Sequence, residues 1–153
     1  MVEADAFVDG HEALSCALLH RRKGASRWQH VLMEPLVNDR WRASFKVDEL
    51  GRYQYTVIAW HDPFKGWVRD LRKRLEAEQD VAIDLQIGAQ MVAEAADRVA
   101  KNGAGKLRQI AAQLRGDVAK ATTIALDAQL ANLMTLYADR SHATQYAKQL
   151  EVV

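Results

Sequence analysis

The residue pair Asp62-Pro63 marks an abrupt change in the spacing of apolar residues, and this change constrains the fold most. Before it, apolar and polar residues alternate, which is typical of β-strands with one buried face. After it, apolar residues recur every three or four positions, as they do on an amphipathic helix. Aspartate is favoured as a helix N-cap and proline at the first helical position, so we expect a strand to end and a helix to begin here.

The part of the chain before Asp62 contains five predicted strands. Turn-forming sequences separate them at 9–12 (DGHE), 22–26 (RKGAS), 37–40 (VNDR) and 48–51 (DELG). The clearest strand is RWRASFKV at 40–47, which places four apolar side chains on one face: Trp41, Ala43, Phe45 and Val47. Short strands at this spacing predict an antiparallel β-sandwich.

The sequence DELGRYQY suggests how one edge of this sandwich is built. An acidic residue, a glycine and then a tyrosine that enters a strand are typical of the tyrosine corner of immunoglobulin-like domains. Tyr53 is the candidate, and its hydroxyl is expected to bond to the backbone a few residues upstream. The alternative is that Tyr53 and Tyr55 are two ordinary strand tyrosines.

The part of the chain after Pro63 predicts a bundle of antiparallel helices. The first carries Phe64 and Leu71, and the second runs from Asp80 until the sequence NGAG at 102–105 stops it. A shorter helix follows, Gly116-Asp117 supplies a break and a new N-cap, and a last helix continues to about Ala138. Apolar residues also alternate over 81–87, so a strand remains an alternative there.

The last residues return to β character, since Leu150, Val152 and Val153 are apolar and no turn signal follows. The predicted fold is therefore α+β: an immunoglobulin-like antiparallel β-sandwich interrupted by an α-helical bundle insert. We assign residues 1–62 and 147–153 to the sandwich and residues 63–146 to the insert. Because the sequence stops inside a predicted strand, we expect further polypeptide beyond Val153.

Composition excludes several classes of partner and location. The chain has 153 residues with 21 basic and 20 acidic side chains, and acids interrupt the basic run at 69–74, which argues against binding to nucleic acid. A single cysteine, Cys16, excludes an internal disulfide framework, suits a reducing compartment and is predicted to be buried. No segment has the appearance of a signal peptide or of a membrane span. We therefore predict a cytoplasmic protein that does not contact a membrane.

Motifs that carry chemistry are absent from the sequence. Asp9-Gly10-His11-Glu12 contains metal-binding residue types, but a turn between two strands explains it more simply. The segment GAGK at 103–106 lacks the remaining residues of a P-loop and reads as a linker that ends a helix. The other histidines are isolated from each other in sequence. We predict no catalytic residue, no metal site and no cofactor.

Tryptophan supplies the one candidate binding residue. Flat aromatic rings on a β-sandwich can stack on sugar faces. Trp41 and Trp67 lie on predicted apolar faces and are expected in the core. Trp28, beside Arg27 at the start of a predicted strand, is the least constrained and is the candidate carbohydrate-binding residue.

Five stretches of the chain resemble one bacterial enzyme family. They are VEADAFVDGH, PLVNDRWRASFKV, LGRYQYTVIAWHD, FKGWVRDLRKRLEAEQDV and YADRSHATQY. Together they resemble the N-terminal region of the α-1,4-glucan:maltose-1-phosphate maltosyltransferases, members of the α-amylase superfamily in glycoside hydrolase family 13. The resemblance covers nearly the whole chain and is densest over residues 2–85.

The resemblance implies a particular place for this chain in a larger enzyme. In that family a β-sandwich N-domain with a helical insert precedes a catalytic (β/α)8 barrel. The enzyme transfers maltosyl units from maltose 1-phosphate to α-glucans with two carboxylates, which lie in the barrel. The N-domain and its insert also take part in a homodimer contact. These implications predict a non-catalytic chain whose partners are the barrel of the same polypeptide and a second subunit.

Two alternatives remain open from the residues. One is a carbohydrate-binding module that holds an α-glucan by aromatic stacking. The other is the N-domain of an α-amylase-like glycoside hydrolase, because nothing in these residues distinguishes transfer from hydrolysis.

Overall fold

The computed structural model describes residues 1–7, 13–99 and 101–153, without the side chains of residues 101 and 102. These residues form antiparallel β-sheets and five α-helices. The strands are β1 (Val2–Asp5), β2 (Leu14–Arg22), β3 (Gln29–Leu32), β4 (Glu34–Pro35), β5 (Arg40–Ala43), β6 (Tyr53–His61), β7 (Thr144–Gln145) and β8 (Leu150–Val152). The helices are α1 (Pro63–Glu76), α2 (Ala82–Arg98), α3 (Lys101–Leu114), α4 (Val118–Ala125) and α5 (Ala128–Leu136). Among the described residues, no helix is long and apolar enough to cross a membrane.

The chain divides into two compact units. The β unit comprises residues 1–61 and 140–153, and the helical unit comprises residues 62–139. The transition from strand to helix at Asp62-Pro63 is confirmed, because β6 ends at His61 and α1 begins at Pro63. The Asp62 carboxylate accepts a bond of 3.2 Å from the Lys65 amide, as an N-cap does.

The β unit holds two antiparallel sheets. One has the strand order β1-β5-β4, and the other has the order β3-β2-β6 with β7 and β8 both paired to the far side of β6. Alternate residues of β2, Cys16 and Leu18, are buried together with Trp41 and Ala43 of β5 in one apolar core. The buried position predicted for Cys16 is confirmed.

The third predicted strand is two strands in the structure. β3 pairs with β2 in the larger sheet, whereas β4 pairs with β5 in the smaller one. The buried residue Met33 separates them, and its amide donates to the Cys16 carbonyl oxygen at 2.9 Å. A strand that changes sheets in this way forms a corner.

The strand predicted at 40–47 is shorter than expected and ends at Ala43. Trp41 and Ala43 are buried as predicted, and Phe45 packs against the same core. Val47, however, is 48% exposed, so the predicted apolar face ends before it. Residues 38 and 39 both adopt positive φ angles of 60°, which forms the tight turn predicted at VNDR. The turn predicted at 9–12 lies outside the described residues.

The helical unit has its own apolar core, drawn from all five helices. Residues 81–87, where a strand was the alternative, begin α2. The Asp80 carboxylate accepts a bond of 3.0 Å from the Ala82 amide at that point. The break predicted at Gly116-Asp117 is confirmed, since the Asp117 carboxylate accepts a bond of 3.1 Å from the Lys120 amide.

Two predicted helix boundaries are wrong. The sequence NGAG, predicted to stop a helix, lies inside α3, and α2 ends earlier at Arg98. A Cβ atom on Gly103 would lie 2.8 Å from Val99 Cγ1 and 3.1 Å from the Tyr137 hydroxyl, so this glycine allows a close helix contact rather than a break. The predicted last helix is two helices, because the Asp127 carboxylate accepts a bond of 2.8 Å from the Gln129 amide and starts α5.

Candidate functional site

The face of the larger sheet that points away from the apolar core carries the candidate site. Cys16 and Leu18 of β2 point into the core, so Leu19 and Arg21 belong to the opposite face. In register with them are His30 of β3 beside Leu19 and Gln54 of β6 beside Arg21. We call this surface the outer face of the larger sheet.

Trp28, the predicted carbohydrate-binding residue, lies at one edge of the outer face. It is half-buried and immediately precedes β3, the edge strand of the larger sheet. The guanidinium carbon of Arg21 lies 4.0 Å from the centre of the Trp28 ring, in a cation–π contact. Sequence analysis placed Arg27 beside Trp28, but the residue that stacks on the ring is Arg21, which comes from the neighbouring strand.

Arg21 is held by two glutamines that sequence analysis did not identify. Its Nε donates to Gln54 Oε1 at 3.1 Å, and its terminal nitrogen lies 3.5 Å from Gln149 Oε1. Gln54 could have been predicted from the register of two antiparallel strands. Gln149 could not have been predicted, because an irregularity between β7 and β8 brings it to Arg21.

The irregularity is a bulge between β7 and β8. Ile58 pairs with Gln145 and Tyr55 pairs with Leu150, so the two β6 residues at 56–57 face the four residues at 146–149. The buried Thr56 hydroxyl lies 3.2 Å and 3.0 Å from the carbonyl oxygens of Tyr146 and Lys148. Its single proton can be donated to either of these carbonyl oxygens, which the bulge removes from the ladder.

A second tryptophan–arginine pair lies on the outer face. The guanidinium carbon of Arg140 is 3.9 Å from the centre of the Trp60 ring, and its Nη1 is 3.2 Å from His30 Nδ1. Burial, and then the charge of Arg140, lowers the pKa of His30. The neutral imidazole is thus favoured, and its Nδ1 can accept the bond from Arg140.

Trp60 is 2% exposed, and none of the described residues accepts a hydrogen bond from its Nε1. Burial also lowers the pKa of the Arg140 guanidinium. The indole ring therefore supports a desolvated cation with its face, while its own N–H is unsatisfied.

The histidines that are isolated in sequence are not all isolated in space. His20 and His30 lie on adjacent strands but on opposite faces of the larger sheet. The His20 ring stacks on Phe45 in the interior, with 4.4 Å between ring centres. Burial, and then the charge of His30, lowers the pKa of His20, which favours the neutral imidazole in this position.

A cleft of about 590 Å³ opens elsewhere in the β unit, between β1 and the far side of β6. Apolar groups from Val57 and Leu150 line it, and His61 and His142 add polar groups. Within the described ranges, no three side chains of metal-binding type come together here or elsewhere.

The tyrosine corner predicted from DELGRYQY has the expected hydrogen bond. The Tyr53 hydroxyl donates to the Glu49 carbonyl oxygen at 3.0 Å. Arg22 supports the same turn, since it pairs with the Glu49 carboxylate and donates to the Leu50 carbonyl oxygen at 3.2 Å. Tyr53 is therefore a structural residue.

Comparison with known proteins identifies the family. The family model described as "Alpha-1,4-glucan:maltose-1-phosphate maltosyltransferase, domain N/S" matches residues 1–153. This chain belongs to that family. The resemblance found in the five sequence stretches is thereby confirmed.

Curated relatives carry the maltosyltransferase name. The protein from Chlorobaculum tepidum is 41% identical over 150 residues, which cover 97% of this chain and 22% of that relative. The protein from Myxococcus xanthus is 36% identical over 160 residues, which cover 99% of this chain and 24% of that relative. A relative from Pseudomonas aeruginosa is 29% identical over 141 residues. The chain thus spans about a quarter of the length of its curated maltosyltransferase relatives.

Proposed function

We propose that this chain is the non-catalytic N-terminal part of a cytoplasmic maltosyltransferase that elongates α-1,4-glucans from maltose 1-phosphate. The observation that carries the proposal is the family match over residues 1–153, together with relatives about four times longer. A catalytic (β/α)8 barrel of the α-amylase type, in the same polypeptide, would supply the chemistry. We assign no catalytic residue to this chain.

The proposed domain organisation is an immunoglobulin-like sandwich of residues 1–62 and 147–153 with a helical insert of residues 63–146, although residues 140–146 group with the β unit and β7 pairs with β6. Support comes from the two antiparallel sheets that share one core and from the Tyr53 corner. The sandwich would pack on the barrel, while the insert would take part in dimerisation.

The activity can be tested on the intact reading frame that contains this chain. We expect phosphate release from maltose 1-phosphate that depends on a maltooligosaccharide acceptor, with elongation of that acceptor by maltosyl units. Phosphate release and product length are the two measurements. Hydrolysis of α-glucan without transfer would instead favour the N-domain of an α-amylase-like hydrolase.

An exposed apolar pair on α2 supports the role in dimerisation. Ile83 and Ile87 are one helical turn apart and are 77% and 51% exposed. Adjoining exposed apolar side chains mark a surface for protein contact when they form a contiguous patch. We therefore propose that this part of α2 lies in the contact between two subunits.

Replacement of both isoleucines tests this surface. Ile83→Glu with Ile87→Glu is expected to convert the dimeric full-length enzyme to a monomer, because burying unpaired carboxylates in an interface is strongly unfavourable. Size-exclusion chromatography with light scattering measures the mass. Gln109→Glu with Gln113→Glu, at two exposed positions one turn apart on α3, is the matched control and should change little. A double variant that remains fully dimeric would rule out this face.

A further inference from the structure

Trp28 lies beside the edge of the larger sheet with one ring face against an arginine. Arg21 of β2 covers this face. The ring lies beside β3, and no strand of the described chain pairs with the outer side of β3. The residue is half-buried, and we take the opposite face of the indole, on the side where β3 has no paired strand among the described residues, as the face that receives a ligand.

The ring is supported by contacts from β2, from β6 and from the segment just before β8. Gln54 and Gln149 hold the guanidinium of Arg21, and the guanidinium in turn lies flat on the indole. Gln149 reaches this position because of the bulge after β7. A platform that is ordered before binding loses little entropy when a ligand stacks on it.

Arg21 also retains hydrogen-bonding capacity. Among the described residues, no carboxylate makes an ion pair with it, and a guanidinium has five N–H donors. Its partners are the amide oxygens of Gln54 and Gln149, and Gln54 also hydrogen-bonds to the Glu151 carboxylate, which adds an acceptor beside the guanidinium. A flat apolar surface with neighbouring planar donors matches a pyranose ring, which has apolar C–H faces and hydroxyl groups around its rim.

We infer that the Trp28 platform, with Arg21, Gln54 and Gln149, is a binding site for an α-1,4-glucan chain. A glucose unit would stack on the face of Trp28 that Arg21 leaves uncovered, and its hydroxyl oxygens would accept bonds from the Arg21 guanidinium and the Gln149 amide. The choice of ligand rests on the proposed function, since α-1,4-glucan is the acceptor class in the family name. The site would hold a long glucan on the enzyme outside its catalytic domain.

Nuclear magnetic resonance of the indole N–H groups tests this site directly, because the chain has four tryptophans and each gives one signal. On titration of the chain with maltoheptaose, we expect one signal to shift, the one that is missing from the Trp28→Phe variant. Trp28→Ala should weaken binding by about tenfold or more, which corresponds to about 1.4 kcal/mol. Arg21→Met, which keeps the aliphatic stem and removes the donors, should weaken it severalfold.

Two controls separate this site from unspecific contact with aromatic residues. Tyr146→Ala removes a different exposed aromatic ring and should bind maltoheptaose as the original chain does. Cellohexaose, whose β-linked chain has another curvature, should bind more weakly than maltoheptaose. The amide spectrum of each variant shows whether the fold is retained.

Absence of any indole shift at millimolar maltoheptaose, or a shift that Trp28→Ala leaves unchanged, would overturn the inference. Equal binding of cellohexaose would also overturn it. The result is independent of the maltosyl transfer assay, which uses a short acceptor and the intact enzyme. Transfer without glucan binding by this chain would refute the site alone, whereas failure of transfer would refute the proposed function.

Discussion

Gly88→Ala in α2 is expected to destabilise the helical unit by about 1–3 kcal/mol. A Cβ atom on residue 88 would lie 2.2 Å from Cζ2 and 2.4 Å from Cη2 of Trp67, so the indole would have to move. The ring is held in place because its Nε1 donates to the Asp84 carbonyl oxygen at 2.9 Å. Overpacking costs about 1–3 kcal/mol and loss of this bond about 1 kcal/mol, against a gain of about 1 kcal/mol in helix propensity.

Thermal and urea unfolding measure this effect, and Gly105→Ala supplies the matched control. Gly105 lies within α3 and a Cβ atom there would meet nothing within 4 Å. That variant should be up to about 1 kcal/mol more stable, since only the helix propensity changes. If the two variants changed stability in the same direction and amount, the close contact between Gly88 and Trp67 would be excluded.

A second substitution identifies the contact itself. Trp67→Phe removes the ring atoms that Gly88 accommodates. Gly88→Ala should therefore lower the free energy of unfolding much less in the Trp67→Phe variant than in the original chain. The difference between the two costs is the interaction energy of a double-mutant cycle. Additive effects would show that the two side chains do not compete for the same space.

The sequence predicted those features that depend on residues close together along the chain. The strand-to-helix transition at Asp62-Pro63 and the cap at Asp117 follow from local hydrogen bonds, and both are confirmed. The Tyr53 bond to Glu49 spans only four residues and was predicted as well. Local conformational preferences are sufficient to predict a turn or a helix start where no contact with a distant residue opposes them.

The same preferences failed where distant residues decide the conformation. Glycine at position 103 predicts a helix stop, yet α3 continues through it, and the missing side chain leaves room for Val99 and Tyr137. Asp127 lies within an apolar stripe, and its ability to start a new helix was overlooked.

The candidate site shows the same limit. Sequence analysis selected Trp28 as the candidate binding residue. It did not find Arg21 or Gln149, which come from another strand and from a bulge. A bulge changes which residues pair across two strands, and the alternation of apolar and polar residues does not reveal that change. The residues that surround Trp28 could therefore be found only from the structure.

Trp60→Ala is expected to destabilise the β unit by about 3–5 kcal/mol, because it leaves a large cavity beneath Arg140 and removes the stacking surface of that cation. Urea unfolding measures the change. The His30 imidazole alone would then remain beside the guanidinium, so we also expect residues 140–146 to lose amide protection in hydrogen exchange.

Trp60→Phe should lower the stability of the β unit far less than Trp60→Ala does. A comparison with Trp41→Phe gives the reason. Both indoles are buried, but Trp41 Nε1 donates to the Ala6 carbonyl oxygen at 3.2 Å, whereas Trp60 Nε1 has no acceptor among the described residues. In Trp60→Phe, removing an unsatisfied buried N–H recovers about 1–3 kcal/mol of stability, which offsets the loss of packing by the smaller ring. Trp41→Phe instead loses the hydrogen bond to Ala6 and leaves that carbonyl oxygen without its indole donor. We expect Trp60→Phe to be the more stable variant by about 1–2 kcal/mol in urea unfolding. The reverse order would mean that the Trp60 N–H does find an acceptor in solution.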